Sequence, residues 1–139
     1  MLDYNGTLAV DGVIVGGIAE RFRALSESLR IHVVTADTFG IAGRHLADLP
    51  CELTVLPAGS QDQAKLDFVA SLGATTVVAI GNGRNDRRML AAAALGIAVL
   101  LEEGAAVETM QAADILCPHI TAALDLLANP LRLTATLRS

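Results

Sequence analysis

Short β-rich apolar runs alternate with helical stripes along this chain of 139 residues, and no other feature of the sequence constrains its fold more. The runs occupy residues 31–35, 53–56, 76–80 and 97–101. Most of them lack the polar alternation of a strand with one exposed face. Between them, Ile18, Phe22, Leu25 and Leu29 recur at the spacing of one helix face. Buried strands that alternate with helices predict βαβ crossovers and an α/β fold with a doubly wound, mainly parallel sheet.

Residues 8–15 interrupt this alternation. They form two short apolar pieces around Asp11-Gly12, a pair of residues that favours a two-residue turn of type I′. The segment follows directly on the polar residues 3–7. We therefore expect a small β-hairpin flap beside whatever that first loop binds.

The composition excludes several classes of protein. Hydrophobic residues make up 53% of the chain, which is enough for one folded domain over residues 1–139. A net charge of −5 and only 3% aromatic residues argue against nucleic acid as a partner. The apolar run at residues 89–101 is too short to span a membrane, and the N-terminus does not resemble a signal peptide.

Two cysteines without metal-binding spacing favour reduced thiols and a cytoplasmic location. The mean hydropathy of +0.50 is high for a chain with no membrane span. An apolar excess of this kind indicates a covered surface, so we expect a homo-oligomer.

Polar residues follow the apolar runs at four places, where an open α/β sheet binds its ligands. They are Asp3 in the first loop, Thr35 at the end of a strand, Lys65 early in a helix, and the glycine-rich segment 81–86. Together these loops supply a carboxylate, a hydroxyl, an ammonium group and a turn with a second carboxylate. Phosphoryl transfer needs this set: a nucleophile, donors for phosphate oxygens, and carboxylate oxygens for magnesium.

In the order and spacing of DYNGT, VVTADT, Lys65 and GNGRND, the chain resembles the haloacid dehalogenase (HAD) superfamily of phosphatases and phosphotransferases. Within it, the chain is most similar to the small soluble proteins named for P-type ATPase-like domains. The resemblance covers essentially the whole chain and implies a Rossmann-like sheet with strand order 5-4-1-2-3. The intervals 7–35 and 35–65 are too short for a separate cap domain.

The resemblance also implies roles in phosphate chemistry. Asp3 would be the nucleophile that forms an aspartyl-phosphate. Gly6, Thr35, Ala36 and Lys65 would bind the phosphate oxygens, and Lys65 would take part in catalysis. The implied partner is a phosphorylated small molecule or a phosphoprotein.

The implied cofactor is magnesium (Mg²⁺). Its ligands would be Asp3, the backbone carbonyl of Asn5, Asn82 and Asp86. Asn5 also occupies the position of the catalytic acid/base in the family.

Two positions depart from the family's patterns. The family has DxDGT where this chain has Asn5, and GDGxND where it has Asn82. An asparagine cannot protonate a leaving group or activate water, and losing such a group costs about 10²–10⁴ in rate. The P-type ATPases carry threonine at the first position, so a phosphoenzyme can still form when the leaving group is good. Asn82 offers an amide oxygen but no charge.

These departures leave one excess negative charge among Asp3, Asp86 and Lys65, where an intact family site has three. The sequence therefore predicts a slow HAD-like phosphohydrolase. The alternative is a catalytically weak or inactive phosphate-binding or regulatory protein, working in a complex. Restoring both aspartates should raise magnesium-dependent activity by roughly tenfold or more.

Simpler interpretations remain open for single residues. Lys65 alone is typical of a partly exposed surface lysine, and Asp86 of a carboxylate that favours a helix N-terminus. Arg84, Arg87 and Arg88 are more typical of a solvated helix face than of a substrate clamp.

Overall fold

The computed structural model describes residues 1–37 and 40–139. The strands are β1 Leu2–Asp3, β2 Ala9–Val10, β3 Val13–Ile14, β4 His32–Thr35, β5 Glu52–Val55, β6 Val78–Gly81, β7 Leu95–Val99 and β8 Ile115–Cys117. The helices are α1 Ile18–Leu25, α2 Ile41–Leu46, α3 Gln61–Leu72, α4 Arg87–Ala92, α5 Val107–Ala112, α6 Ile120–Ala128 and α7 Pro130–Leu137. No helix in this described part of the chain is long and apolar enough to cross a membrane.

Six strands form one sheet in the order β5-β4-β1-β6-β7-β8, and every neighbouring pair is parallel. The short strand β1 is central, because Leu2 pairs with Val33 on one side and with Ile80 on the other. Counting β1, β4, β5, β6 and β7 as strands 1 to 5 gives the expected order 5-4-1-2-3, and β8 adds a sixth strand beyond it. The predicted α/β fold is confirmed.

Apolar side chains cover both faces of this sheet. Alternate residues of β4 point to opposite sides, so Val33 belongs to one buried cluster and Val34 to the other. Residues of α1, α2 and α6 join the first cluster, while residues of α3 and α4 join the second. Two helical layers with a sheet between them leave only the strand ends open to ligands, which is where the polar loops lie.

Three sequence-based expectations about these elements are wrong in detail. Strand β5 is not buried on both faces, because it lies at the sheet edge and its Val55 is 53% exposed. Strand β8 was not expected, since three residues with an exposed Leu116 between two buried ones give little periodic signal. Helix α1 ends at Leu25, so Leu29 lies beyond it and is 42% exposed.

The predicted flap is present as the antiparallel pair β2 and β3. Both turn residues have positive φ angles, 50° for Asp11 and 77° for Gly12, as a type I′ turn requires. The backbone amide of Asp11 donates to the Glu103 carboxylate at 2.8 Å. This bond fastens the tip of the hairpin to the loop that follows β7. Apart from the hairpin, the described residues contain no insertion large enough to be a cap.

Candidate functional site

Three charged side chains from three segments meet at the carboxyl edge of the sheet. The Lys65 Nζ donates to Asp3 Oδ1 at 2.7 Å and to Asp86 Oδ1 at 2.6 Å. Asp3 ends the central strand, Lys65 lies in α3, and Asp86 ends the 3₁₀ turn Arg84–Asp86 after β6. All three are buried, with relative exposures of 7%, 2% and 0%. The fold therefore brings together residues that are 62 and 21 positions apart in the sequence.

Burial is the largest single influence on the pKa values of Asp3 and Lys65. It raises the pKa of Asp3 to about 7, and the neighbouring Asp86 charge adds to the rise. The Lys65 ammonium and the backbone amide of Tyr4 act in the opposite direction without cancelling it. Burial alone would lower the pKa of Lys65, but the two carboxylates raise it above its ordinary value. The lysine therefore stays charged while Asp3 resists ionisation.

The expectation that Lys65 is partly exposed is wrong. Its helix packs against α4 and against the turn at Arg84–Asp86, which covers the lysine side chain. An ammonium group buried to this degree needs close acceptors, and Asp3 and Asp86 supply them. Lys65 is thus part of the interior of the site.

The Asp86 carboxylate accepts hydrogen bonds from the backbone of the glycine-rich loop as well as from the Lys65 ammonium. Its Oδ2 accepts from the backbone amides of Asn82 at 3.0 Å and Gly83 at 2.8 Å. A Cβ atom at Gly81 would lie 2.5 Å from this carboxylate, so the close approach requires glycine there. Asp86 therefore combines the helix-terminus role of the simpler interpretation with a direct contact to the lysine.

The side-chain amide of Asn82 joins two neighbouring segments by hydrogen bonds. Its Oδ1 accepts from the Thr7 hydroxyl at 3.3 Å, and its Nδ2 donates to the Gly104 carbonyl at 2.9 Å. The carbonyl of Gly104 can only accept, which fixes the orientation of the amide. The side chain that was expected to be a metal ligand thus joins the first loop to the loop after β7.

Changing Asn82 to aspartate should therefore destabilise the protein. A carboxylate cannot donate to Gly104 and would place a charge beside that carbonyl at a buried position. We expect a loss of about 1–3 kcal/mol in the free energy of unfolding, measured by urea denaturation. Asn129→Asp is the matched control, because its Nδ2 also donates to a carbonyl but at an exposed position. Equal losses in the two variants would contradict this joining role of Asn82.

The remaining expected site residues lie on the same edge with different exposures. Thr35 ends β4 and is buried, and its Oγ1 accepts from the Asp37 amide at 3.0 Å. Ala36 is half-buried, whereas Asn5 is exposed at the mouth of the site. Gly6 has a φ angle of 73°, and a Cβ there would collide with the amide of Asn82. Gly6 is thus a residue that the close packing of the first loop requires.

Two buried threonines support the site and have no motif that would reveal them. Thr7 anchors Asn82, as described above. Thr109, from α5, donates through Oγ1 to the Gly83 carbonyl at 2.6 Å. Both are fully buried. A single threonine in a helix far along the chain gives no periodic or spacing signal, so sequence reasoning had no means of finding Thr109.

The donor set at this edge was compared with what magnesium prefers. In residues 1–37 and 40–139 there is no cluster of three or more His, Cys, Asp or Glu side chains that could hold a metal. Magnesium, however, commonly binds through one or two carboxylates together with water and substrate phosphate. Asp3, Asp86 and the backbone carbonyl of Asn5 offer only hard oxygen donors. Their chemistry fits magnesium, with few ligands from the protein.

Comparison of the sequence with known proteins gives matches that include two uncharacterized proteins of one archaeon, MJ0073 and MJ0072. No family model matches the chain. The uncharacterized protein MJ0073 of Methanocaldococcus jannaschii is 44% identical over 84 residues, which are 58% of this chain and 90% of that protein. A match of this identity over nearly all of the relative establishes common family membership.

The fold is similar to that of solved HAD phosphatases. A cobalt-bound deoxy-D-mannose-octulosonate 8-phosphate phosphatase from Haemophilus influenzae superposes with a TM-score of 0.75 at 16% identity, covering 99% of this chain and 91% of that one. The corresponding enzyme from Moraxella catarrhalis, with magnesium ion, phosphate ion and KDO bound, gives 0.72 at 17%, with the same coverages. The catalytic domain of the CPx-ATPase CopB-B gives 0.67 at 21%, covering 84% of this chain and 46% of that chain.

Proposed function

The chain belongs to the family of the M. jannaschii protein MJ0073 and has the HAD fold, and on this premise we propose that it is a magnesium-dependent phosphohydrolase. One observation supports the proposal above the others. The buried contact of Lys65 with Asp3 and Asp86 lies at the edge of the sheet where α/β proteins bind ligands. The substrate would be a phosphorylated small molecule or a phosphoprotein.

Asp3 would be the nucleophile. A carboxylate oxygen of Asp3 attacks phosphorus, the bond from phosphorus to the ester oxygen breaks, and the leaving group takes a proton from water. A water molecule then attacks phosphorus, the bond from phosphorus to the Asp3 oxygen breaks, and inorganic phosphate leaves while Asp3 regains its carboxylate and the proton of the water passes to solvent. The Lys65 ammonium, already 2.7 Å from Asp3, would hold a phosphate oxygen during both steps, with the Thr35 hydroxyl and the backbone at Gly6 and Ala36.

Asp3, the carbonyl of Asn5 and Asp86 would hold magnesium. The ion, when bound, supplies positive charge that offsets the carboxylates and the phosphate oxygens. Asp86 would contribute through Oδ1, which accepts only from Lys65, because its Oδ2 already accepts from the amides of Asn82 and Gly83. The Asn82 amide, engaged with Thr7 and Gly104, would contribute less than the sequence suggested.

Phosphate release by the purified chain tests this function. The substrates are p-nitrophenyl phosphate and acetyl phosphate, whose leaving groups need little protonation, with magnesium or with EDTA. We expect slow release that requires magnesium. Lys65 is the only lysine of the chain, so selective ¹⁵N-lysine labelling gives one side-chain signal that reports magnesium or phosphate binding without turnover.

A second candidate function is phosphate binding without turnover. The hydrogen bonds of Asn82 favour this second function. The residue at this position serves catalysis in the family, whereas here its side chain joins two loops. A shift of the lysine signal on addition of phosphate, without any release from either substrate, would favour this second function. Release without binding at Lys65 would contradict both.

Asn5→Asp should raise the activity. Asn5 is exposed at the mouth of the site, so an aspartate there needs no repacking and can exchange protons with a leaving group. We expect a gain of about tenfold or more in kcat with a poor leaving group such as a sugar phosphate, and a smaller gain with acetyl phosphate. Asn129→Asp is the control for added charge. An equal gain with both classes of leaving group would argue against proton transfer by the new carboxylate.

A further inference from the structure

A groove of about 380 Å³, lined mostly by polar and charged residues, opens beside the buried charged group. Its walls come from the start of α3, at Gln61 and Asp62, and from the turn at Arg84 and Asn85 with Arg87 beyond it. None of the roles proposed above uses these side chains. The groove is shallow and wide open to solvent.

The groove lies next to the proposed phosphate site. Gln61 precedes Lys65 by four residues on the same face of α3, which is about 6 Å along the helix axis. Asn85 directly precedes Asp86, and its Nδ2 donates to Gln61 Oε1 at 2.9 Å. This bond holds the two walls together above the Lys65–Asp86 contact. A ligand with its phosphate at Asp3 would extend towards this groove.

The groove carries excess positive charge in an acidic chain. Arg84 pairs with Glu108 at 3.0 Å, but Arg87 and Arg88 share the single carboxylate of Asp62 at 3.6 and 3.7 Å. Of the side chains that line the groove, Arg84 and Arg87 carry two positive charges and Asp62 carries one negative charge, whereas the whole chain has a net charge of −5.

The arginines of these ion pairs can leave their carboxylates and bind a ligand at a small cost in free energy. The Arg84 side chain is 70% exposed and that of Arg87 is 42% exposed. Exposed pairs of this kind contribute about 0–1 kcal/mol. A guanidinium group also matches the planar geometry of a carboxylate or phosphate better than an ammonium does.

We infer that this groove binds a second anionic group of the substrate through Arg84 and Arg87. The inference rests on the proposed function, because it places the first phosphate at Asp3. It assigns the substrate to the compounds that carry a phosphate at one end and a carboxylate or a second phosphate at the other. A six-carbon chain between the two groups matches the helical turn of about 6 Å that separates Gln61 from Lys65. The solvated helix face expected from the sequence is the competing interpretation.

Binding of a matched ligand series tests the inference. Glucitol 6-phosphate, 6-phosphogluconate and glucitol 1,6-bisphosphate share one carbon skeleton and differ at the far end, which is neutral, a carboxylate or a phosphate. Calorimetry with the Asp3→Asn variant and magnesium measures Kd without turnover. We expect the doubly anionic ligands to bind about tenfold more tightly than glucitol 6-phosphate, and their ranking tells whether carboxylate or phosphate is preferred.

Adding Arg84→Ala and Arg87→Ala to the Asp3→Asn variant should remove this preference. The ratio of the Kd for glucitol 6-phosphate to the Kd for a doubly anionic ligand should then be about one. Adding Arg23→Ala and Arg138→Ala instead removes the same charge from exposed positions outside the groove and should leave the ratio near ten. Equal Kd values for all three ligands, no binding of any of them, or a ratio that survives the loss of Arg84 and Arg87 would overturn the inference. Absence of turnover by the unmodified chain, together with an intact ratio, would overturn the proposed hydrolysis and leave the anion site.

Discussion

Replacing Asp3 by asparagine should abolish phosphate release by the chain and should also make the metal-free protein more stable. An amide cannot form an acyl-phosphate, so we expect kcat to fall by at least about 10³-fold. The same change turns a buried group with excess negative charge into a neutral pair of Lys65 and Asp86. Phosphate release and thermal unfolding, both measured on purified protein, check the two halves of this prediction.

The gain in stability should depend on pH in a defined direction. Burial raises the pKa of Asp3 from 3.8 in the unfolded chain to about 7 in the folded protein. Between these values the folded state retains a proton that the unfolded state releases, so the stability of the unmodified chain falls as the pH rises from 4 to 7. The Asp3→Asn variant has no carboxyl group at this position, so its stability does not fall in this way between pH 4 and 7. In EDTA, the two proteins should unfold alike near pH 4 and differ by on the order of 2 kcal/mol at pH 8.

Asp48→Asn makes the same chemical change at an exposed position and should leave both activity and stability unchanged. Phosphate release that persists in Asp3→Asn would point to another nucleophile or to a contaminating enzyme. A variant that is less stable than the unmodified chain at pH 8 would show that the Asp3 carboxylate stabilises the metal-free fold, contrary to its raised pKa.

The sequence was sufficient to predict which polar segments meet at one edge of the sheet. Parallel strands bring their carboxyl ends to one edge, so Asp3, Thr35 and the loop at 81–86 had to converge once the βαβ pattern was recognised. The resemblance to the HAD superfamily implied the central position of β1, although this strand has only two residues.

The sequence could not predict which partner each polar side chain would choose. Lys65 was expected in the pocket but partly exposed, because a lysine in the first turn of a helix is typical of the surface, and it is instead 2% exposed. Asn82 was expected to face a metal, but its amide pairs with Thr7 and Gly104, which are 75 and 22 residues away. Hydrogen-bond partners of this kind depend on how closely loops from distant parts of the sequence approach each other. The spacing of residues within one segment contains no information about that approach.

Lys65→Met should cost about 3–5 kcal/mol in the free energy of unfolding at pH 8. Methionine retains most of the apolar stem but removes the ammonium, so two buried carboxylates would face each other without a cation between them. Their oxygens both contact the same nitrogen, at 2.7 and 2.6 Å, and therefore lie close together. A loss of this size is a large fraction of the 5–15 kcal/mol typical of a domain, and urea denaturation measures it. Arg44→Met, at an exposed position, is the control and should cost less than about 0.5 kcal/mol.

A double-mutant cycle separates the charge effect from loss of packing, and the stability of the combined variant remains informative if Lys65→Met alone fails to fold. In the combined variant Lys65→Met with Asp3→Asn, one negative charge remains, and Asp86 still accepts from the backbone amides of Asn82 and Gly83. The combined variant should therefore be more stable than Lys65→Met alone, although it carries one more substitution. The coupling between the two changes should amount to about 1–3 kcal/mol, the range for residues in direct contact. If the two substitutions are merely additive, the ammonium does not hold the carboxylates together. Lys65 would then stabilise the protein through its apolar stem alone.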